Sequence, residues 1–133
     1  MANEWVLIHE TELPIPFTVA NATGIEKGAV LKMTDPLTAV ASDGANDVFA
    51  GIASTEKIAS DGVTKLGLYR GGIFKVVASG AITVGNAVTT KGSANLVLVA
   101  AVNDENVIGI ALETAAEAES FLMELRPTVM NLA

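Results

Sequence analysis

The sequence contains no cysteine and a single histidine, and both shortages limit its chemistry. Without cysteine there is neither a disulfide framework nor a thiol nucleophile, and the usual zinc motifs are missing. His9 lies beside Glu10 near the start of the chain, and no motif places a nucleophile next to it. We therefore predict that the protein is not an enzyme and that it holds no cofactor and no metal ion.

Aromatic residues are scarce as well, at 5% of the chain, although 50% of the residues are hydrophobic. No apolar run approaches the roughly 20 residues that cross a bilayer. The opening residues, MANEWVLIHE, do not resemble a signal peptide. We predict no membrane association and synthesis in a cytoplasm. The mean hydropathy of +0.47 indicates surplus apolar surface that is buried against other copies of the chain or against a structure that it coats.

Basic residues are outnumbered, with 8 lysines and arginines against 15 acidic residues and a net charge of −7. A protein that wraps nucleic acid must neutralise phosphates with lysine and arginine, so this balance excludes nucleic acid as the predicted partner. The length of 133 residues fits one domain with a modest core.

The sequence repeats itself at three anchors that occur in the same order. Gly28 and Gly85 lie 57 positions apart, and Gly51 and Gly109, in the phrases VFAGIAS and VIGIAL, lie 58 apart. The third anchor is an arginine at 70 and again at 126. We predict an internal duplication of about 24–70 and 81–126, in which these four glycines serve turns or close backbone approach.

Short apolar and alternating runs in both units predict strands, including 29–33, 48–53, 87–90, 107–112 and 121–126. The fold class predicted from them is all-β: a small antiparallel barrel or sandwich of two similar modules related by a pseudo-two-fold axis. The Ala- and Glu-rich stretch 113–120 favours one helical turn or short helix in the last connector. We divide the chain into an extended N-terminal arm, residues 1–20, and a single β domain, residues 21–133.

The N-terminal arm carries the only tryptophan and two prolines, Pro14 and Pro16, which keep their neighbours extended. Two interpretations remain open: the arm folds back onto its own barrel, or it adds a strand to another subunit. The candidate contact residues in the arm are Trp5, Val6, Ile8, Ile15 and Phe17.

Two other classes of function are consistent with a duplicated β fold. Lys32-Met33 faintly resembles the modified lysine of biotinyl and lipoyl carrier domains, but that lysine sits at a hairpin tip, whereas here Thr34-Asp35-Pro36 places the turn after it. A ligand-binding β-barrel without catalysis is the other alternative, although the sequence shows no convergent polar groups.

The order of motifs resembles the head decoration, or capsid cement, proteins of tailed bacteriophages. The resemblance runs from Phe17 to Arg126 and rests on Gly28-Ala29-Val30, Gly51-Ile52-Ala53, Gly72-Ile73-Phe74 and Gly85-Asn86-Ala87-Val88. It implies a non-enzymatic β-rich protein, often a trimer, on the outer surface of the phage head, where it clamps neighbouring major capsid subunits and stabilises the expanded shell. The chain departs from the pattern in its proline-bearing arm and in the longer loop Thr34–Asp47.

Overall fold

A computed structural model describes residues 3–45, 47–92, 94–100 and 106–129 of the chain. The protein is all-β, as predicted. Within the described ranges it has eleven strands: β1 (Val6–His9), β2 (Ile15–Thr18), β3 (Val30–Asp35), β4 (Thr38–Ala41), β5 (Phe49–Ala53), β6 (Lys65–Tyr69), β7 (Gly72–Val77), β8 (Ala87–Thr90), β9 (Val97–Val99), β10 (Asn106–Ala111) and β11 (Ser120–Val129).

The expected helical turn at 113–120 is wrong. The connector instead runs through an antiparallel bridge between Ala115 and Ile82 and a turn in which Ala118 has a φ of 68°. Ala115 also exchanges backbone hydrogen bonds with Ile82, at 2.9 and 2.8 Å. These long-range bonds override the helix propensity of alanine and glutamate, which is only a weak preference.

Strands β2 to β6 close into a five-stranded barrel, which we call the first module, with the strand order β2-β4-β3-β5-β6. Strand β2 completes the ring because it pairs antiparallel with β6 and meets β4 in one parallel pair, Thr18 with Thr38. Side chains fill the barrel interior, and the residues that form this core are Phe17, Val19, Ile25, Ala29, Leu31, Ala39, Ala50, Ala53, Leu66 and Leu68.

Strands β7 to β11 form the second module within a six-stranded sheet of order β1-β7-β11-β10-β8-β9. An isolated parallel bridge between Ala78 and Val97 brings the end of β7 to β9, at the position where β2 meets β4 in the first module. Each module therefore has the same connectivity. Its second strand pairs with its third and fourth strands, and its fifth strand pairs with its fourth and first strands. Its first strand meets its third strand in a single parallel pair.

Backbone hydrogen bonds repeat between the modules at nearly constant spacing. In the first module Gly28 N donates to Ala53 O at 2.9 Å, and in the second Gly85 N donates to Ala111 O at 2.8 Å. The bridge between Ile25 and Lys57 matches the one between Ile82 and Ala115. The sequence repeat at 24–70 and 81–126 falls within these two modules.

The two modules do not contact each other symmetrically, which overturns the expected pseudo-two-fold arrangement. A two-fold contact would use the same surface of both modules. Here the β8–β9 hairpin of the second module reaches the first, where Asn95 Oδ1 accepts a hydrogen bond from Val30 N at 3.0 Å. The residue at the same place in the β3–β4 hairpin, Leu37, is exposed instead.

Candidate functional site

The N-terminal segment is built into the fold of its own chain. Strand β1 pairs antiparallel with β7, and β2 is part of the first barrel. Among the strands that the structure describes, β1 pairs with β7 alone, so one of its two edges is open. An open edge strand with apolar side chains is a ready site for pairing or packing with another chain.

Trp5 lies between the modules and is only 4% exposed. Its indole Nε1 donates to Asn95 O at 3.0 Å, and its ring packs against Phe74 with centroids 5.6 Å apart. Its backbone N donates to Gly28 O at 2.9 Å. Trp5 therefore joins the first module to the second, and burial removes it from the predicted contact residues.

Phe17 is also a core residue, at 1% exposure inside the first barrel. It pairs with Leu66 across β2 and β6, and both side chains point inward. The sequence reasoning treated an aromatic residue near the terminus as available to a partner. In the structure it fills its own barrel, so Phe17 is likewise unavailable to a capsid.

Val6, Ile8 and Ile15 are the candidate residues that the structure places at the surface, with Val6 54% and Ile8 43% exposed. Sequence reasoning missed a fourth residue, Leu13, which is the most exposed large hydrophobic residue described, at 77%. It stands between Glu12 and Pro14, where the chain turns from β1 to β2. An apolar residue in such a turn is a signal that could have been noticed.

A groove of about 470 Å³ runs beside β1 and is lined by Glu4, Trp5, Val6, Leu7, Lys27, Ser54 and Tyr69. Burial raises the pKa of Tyr69, and its hydrogen bond to Glu10 raises it further. The phenol is therefore protonated at neutral pH and acts as a hydrogen-bond donor. This gives the groove a polar end.

The four repeat glycines occupy two kinds of position. Gly28 and Gly85 have φ angles of 86° and 89°, in the region that favours glycine. Gly51 and Gly109 lie where strands approach closely: a Cβ on Gly51 would fall 2.8 Å from Tyr69 O, and one on Gly109 would collide with Glu124 O. Their assignment as structural turn glycines stays a prediction until they are substituted.

The carrier-domain alternative does not fit the position of Lys32. This lysine lies within β3, paired with Val40 and Phe49, not at a hairpin tip. Its Nζ forms a salt bridge with Asp43 at 2.6 Å. That hydrogen bond raises the pKa of Lys32 and lowers the pKa of Asp43. A charged, paired lysine in mid-strand is poorly placed for modification.

The polar loop 42–47 also has a structural explanation. Asp47 Oδ2 accepts hydrogen bonds from Ser42 Oγ at 2.9 Å, Asp43 N at 3.1 Å and Gly44 N at 2.9 Å. Within the residues that the structure describes, no group of three or more histidines and carboxylates could hold a metal ion. Over the same ranges, no helix has the length and apolar character needed to span a membrane.

These features define a class of protein: a two-module β protein with a filled core, an open edge strand and exposed apolar residues along its N-terminal segment. The comparisons with known proteins identify the family. The model of the phage cement protein family matches residues 8–126, so the chain belongs to that family and is a structural component of the phage virion, associated with the capsid.

Among solved structures, the chain is similar to the N base of head fiber gp8.5 in bacteriophage phi29. The TM-score is 0.57 with 19% sequence identity, over 88% of this chain and 98% of that one. At this identity the likeness shows a shared fold. No curated protein matches the sequence.

Proposed function

We propose that the protein binds the outer surface of the expanded phage head at junctions between major capsid subunits, as a homotrimer, and stabilises the shell. The role is one of binding and involves no reaction. The observation that carries the proposal is the open edge of β1 with its exposed apolar side chains, in a chain that belongs to the phage cement family.

Val6 and Ile8 on β1, with Leu13 beyond it, are the residues that we assign to the capsid contact. All three expose apolar side chains on one continuous segment. Complete burial of a Val, Leu or Ile side chain contributes about 1.5–3 kcal/mol. A few such side chains give each copy only a weak contact with the capsid. Stable binding then requires several copies to bind together.

A trimer at a junction touches several capsid subunits at once. Linked contacts raise the overall affinity by about two to four orders of magnitude, provided that they are engaged simultaneously. Cross-linking of this kind opposes separation of neighbouring subunits, because all contacts of a trimer must break before it leaves. The net charge of −7 is compatible with an external position, where the protein does not meet DNA.

The test is decoration of expanded heads that lack the protein, followed by electron cryomicroscopy and co-sedimentation. We expect the wild-type chain to occupy outer sites at subunit junctions and to raise the temperature at which the heads rupture. The double variant Val6→Asp/Ile8→Asp should lose at least tenfold in affinity. The matched control is Ile58→Asp, since Ile58 is an apolar residue in the β5–β6 connector that is even more exposed than Val6 and Ile8.

Decoration by the double variant at the same protein concentration as the wild type would remove the assignment to β1. Absence of wild-type density on the heads would overturn the proposed function itself. The circular dichroism spectrum and Tm of each variant establish that it is folded. We expect both variants to fold, because the substituted side chains are exposed.

A further inference from the structure

The first module presents one outer face to the rest of the chain. Val30, Ile52 and Tyr69 lie side by side on β3, β5 and β6 and pack into the cluster that the second module forms. The second module contributes Phe74, whose ring centroid is 5.9 Å from that of Tyr69, and the hairpin residue Asn95, which accepts from Val30 N. In this intramolecular contact, the outer face of the first module meets strand β7 and the tip of the β8–β9 hairpin of the second module.

In the part of the chain that the structure describes, the matching outer face of the second module is exposed. Strand register gives its members: Ile110 pairs with Ala87 and Glu124, just as Ile52 pairs with Val30 and Tyr69. Ile110 is exposed, whereas Ile52 is buried.

Two neighbouring positions on the second outer face are apolar where the first module has polar residues. Val84, 56% exposed, precedes the turn glycine where the first module has Lys27. Leu112 is exposed and follows β10 where the first module has Ser54. At these two positions apolar residues replace polar ones, whereas Glu124 stands where the first module has Tyr69.

The first module carries the complementary surface, which no described residue covers. Ile15 faces Leu68 in β6 as Phe74 faces Met123 in β11, so Ile15 occupies the position of Phe74. Leu37 occupies the position of Asn95, and both residues are left-handed, with φ of 46° and 58°. Ile15 and Leu37 are exposed, Leu37 to 55%.

We propose that a second copy of the chain docks its Ile15 and Leu37 onto the Val84, Ile110 and Leu112 face of the second module. The contact uses, between two chains, the positions through which the two modules meet within one chain, with Leu37 in place of the hydrogen-bonding Asn95. Because its two sides are different surfaces, it is head-to-tail, and such contacts form a ring when the rotation closes. The proposal names the contact between copies in the homotrimer proposed above and rests on that part of the proposed function.

Side-chain size supports the same pairing. Within the chain, Trp5 fills the space between the two modules. No second tryptophan exists in the sequence to fill the equivalent space between chains. Leu37 stands where the second module has Asn95, and Leu112 stands where the first module has Ser54. In the contact between chains, these two leucines supply apolar volume in place of the tryptophan. The proposal also takes Ile15 out of the residues predicted to face the capsid.

The experiment measures the molar mass of the purified full chain by size-exclusion chromatography with light scattering. We expect the wild type at the mass of three chains, each of 13.6 kDa. Leu37→Asp and Leu112→Asp should each be monomeric at tens of micromolar, because each buries a charge at the contact. Aspartate tolerates the left-handed backbone at 37, so that variant folds.

Mixing the two variants provides the decisive measurement. Leu37→Asp retains an intact Leu112 face, and Leu112→Asp retains an intact Leu37 tip, so an equimolar mixture should form a dimer through the one remaining contact. Ile58→Asp, the matched control, should keep the wild-type mass. A monomeric wild type, variants that keep the wild-type mass, or a mixture that stays monomeric would each overturn the proposal and leave the face to the capsid or to another partner.

Decoration of heads separates this inference from the proposed function. A wild-type trimer that does not bind heads would refute the proposed function and leave the copy-to-copy contact standing. Wild-type chains that are monomeric in solution yet decorate heads would refute the contact and leave capsid binding standing.

Discussion

The two modules of this protein share a backbone plan but differ in what covers them. Both use the same strand pairings and the same turn, with Gly28 and Gly85 at φ of 86° and 89°. Gly28 is buried beneath the N-terminal segment, whereas Gly85 is exposed. The comparison teaches that duplication preserves the hydrogen-bonded frame, because its turns and close approaches constrain the backbone. Side chains on the outer faces are free to differ, and they decide which face binds its own chain.

The largest expected effect comes from removing the residue that covers the first module. Trp5→Ala should lower the free energy of unfolding by about 3–5 kcal/mol, as is usual for deletion of a buried tryptophan. It removes the packing on Phe74 and the hydrogen bond to Asn95 O. Urea denaturation followed by circular dichroism measures the change.

Val6→Ala is the control, because Val6 is the exposed neighbour of Trp5. It should shift the free energy of unfolding by no more than about 0.5 kcal/mol. Equal effects of the two substitutions would mean that Trp5 does not join the modules.

The all-β class and the family could be predicted from sequence because both depend on local patterns. Alternation of apolar residues follows from the strand geometry, and glycines mark turns and close approaches. The helix expected at 113–120 failed because alanine and glutamate propensities are local, whereas the bonds between Ala115 and Ile82 are long-range.

The candidate site was harder to predict because exposure depends on tertiary packing. Trp5 and Phe17 have the same apolar character as Val6 and Ile8, and nothing local distinguishes the buried pair from the exposed pair. The asymmetric contact between the two modules could not be predicted from the sequence either, because it depends on which outer face the N-terminal segment covers. Register in the folded sheet was needed to match Ile15 with Phe74 and Leu37 with Asn95.

A second difference between the modules is a buried cation. Lys57, 2% exposed, donates from Nζ to Asn21 O at 2.7 Å, Thr23 O at 3.1 Å and Ile58 O at 3.2 Å. The equivalent residue in the second module is Ala115. Lys57→Ala should lower the free energy of unfolding by about 2 kcal/mol, because three backbone carbonyl oxygens lose their charged donor and Asp61 loses its ion-pair partner, 3.3 Å away.

Lys65→Ala provides the matched control for the buried lysine. Lys65 is exposed and donates to Thr18 Oγ1 at 2.8 Å. Its removal should change the free energy of unfolding by no more than about 0.5 kcal/mol. If thermal and urea unfolding show the same loss for both lysines, the connector of the first module does not depend on its ammonium group.

The smallest effect is the difference between two identical substitutions, Gly28→Ala and Gly85→Ala. Both place alanine in a left-handed backbone, which costs about 1–2 kcal/mol. A Cβ on Gly28 would also lie 2.5 Å from Trp5 O, whereas a Cβ on Gly85 has nothing within 4 Å. Gly28→Ala should therefore cost about 1 kcal/mol more, since the N-terminal segment must move.

Both alanines are introduced in the Leu37→Asp background, so that contact between copies does not contribute to the urea denaturation curves. Adding Trp5→Ala should reduce the extra cost at Gly28 and leave that at Gly85 unchanged, because residues in contact are coupled and distant ones are additive. Equal costs for the two glycines would contradict the cover over Gly28. An extra cost that survives Trp5→Ala would place the constraint in the backbone of the segment rather than in the tryptophan that anchors it.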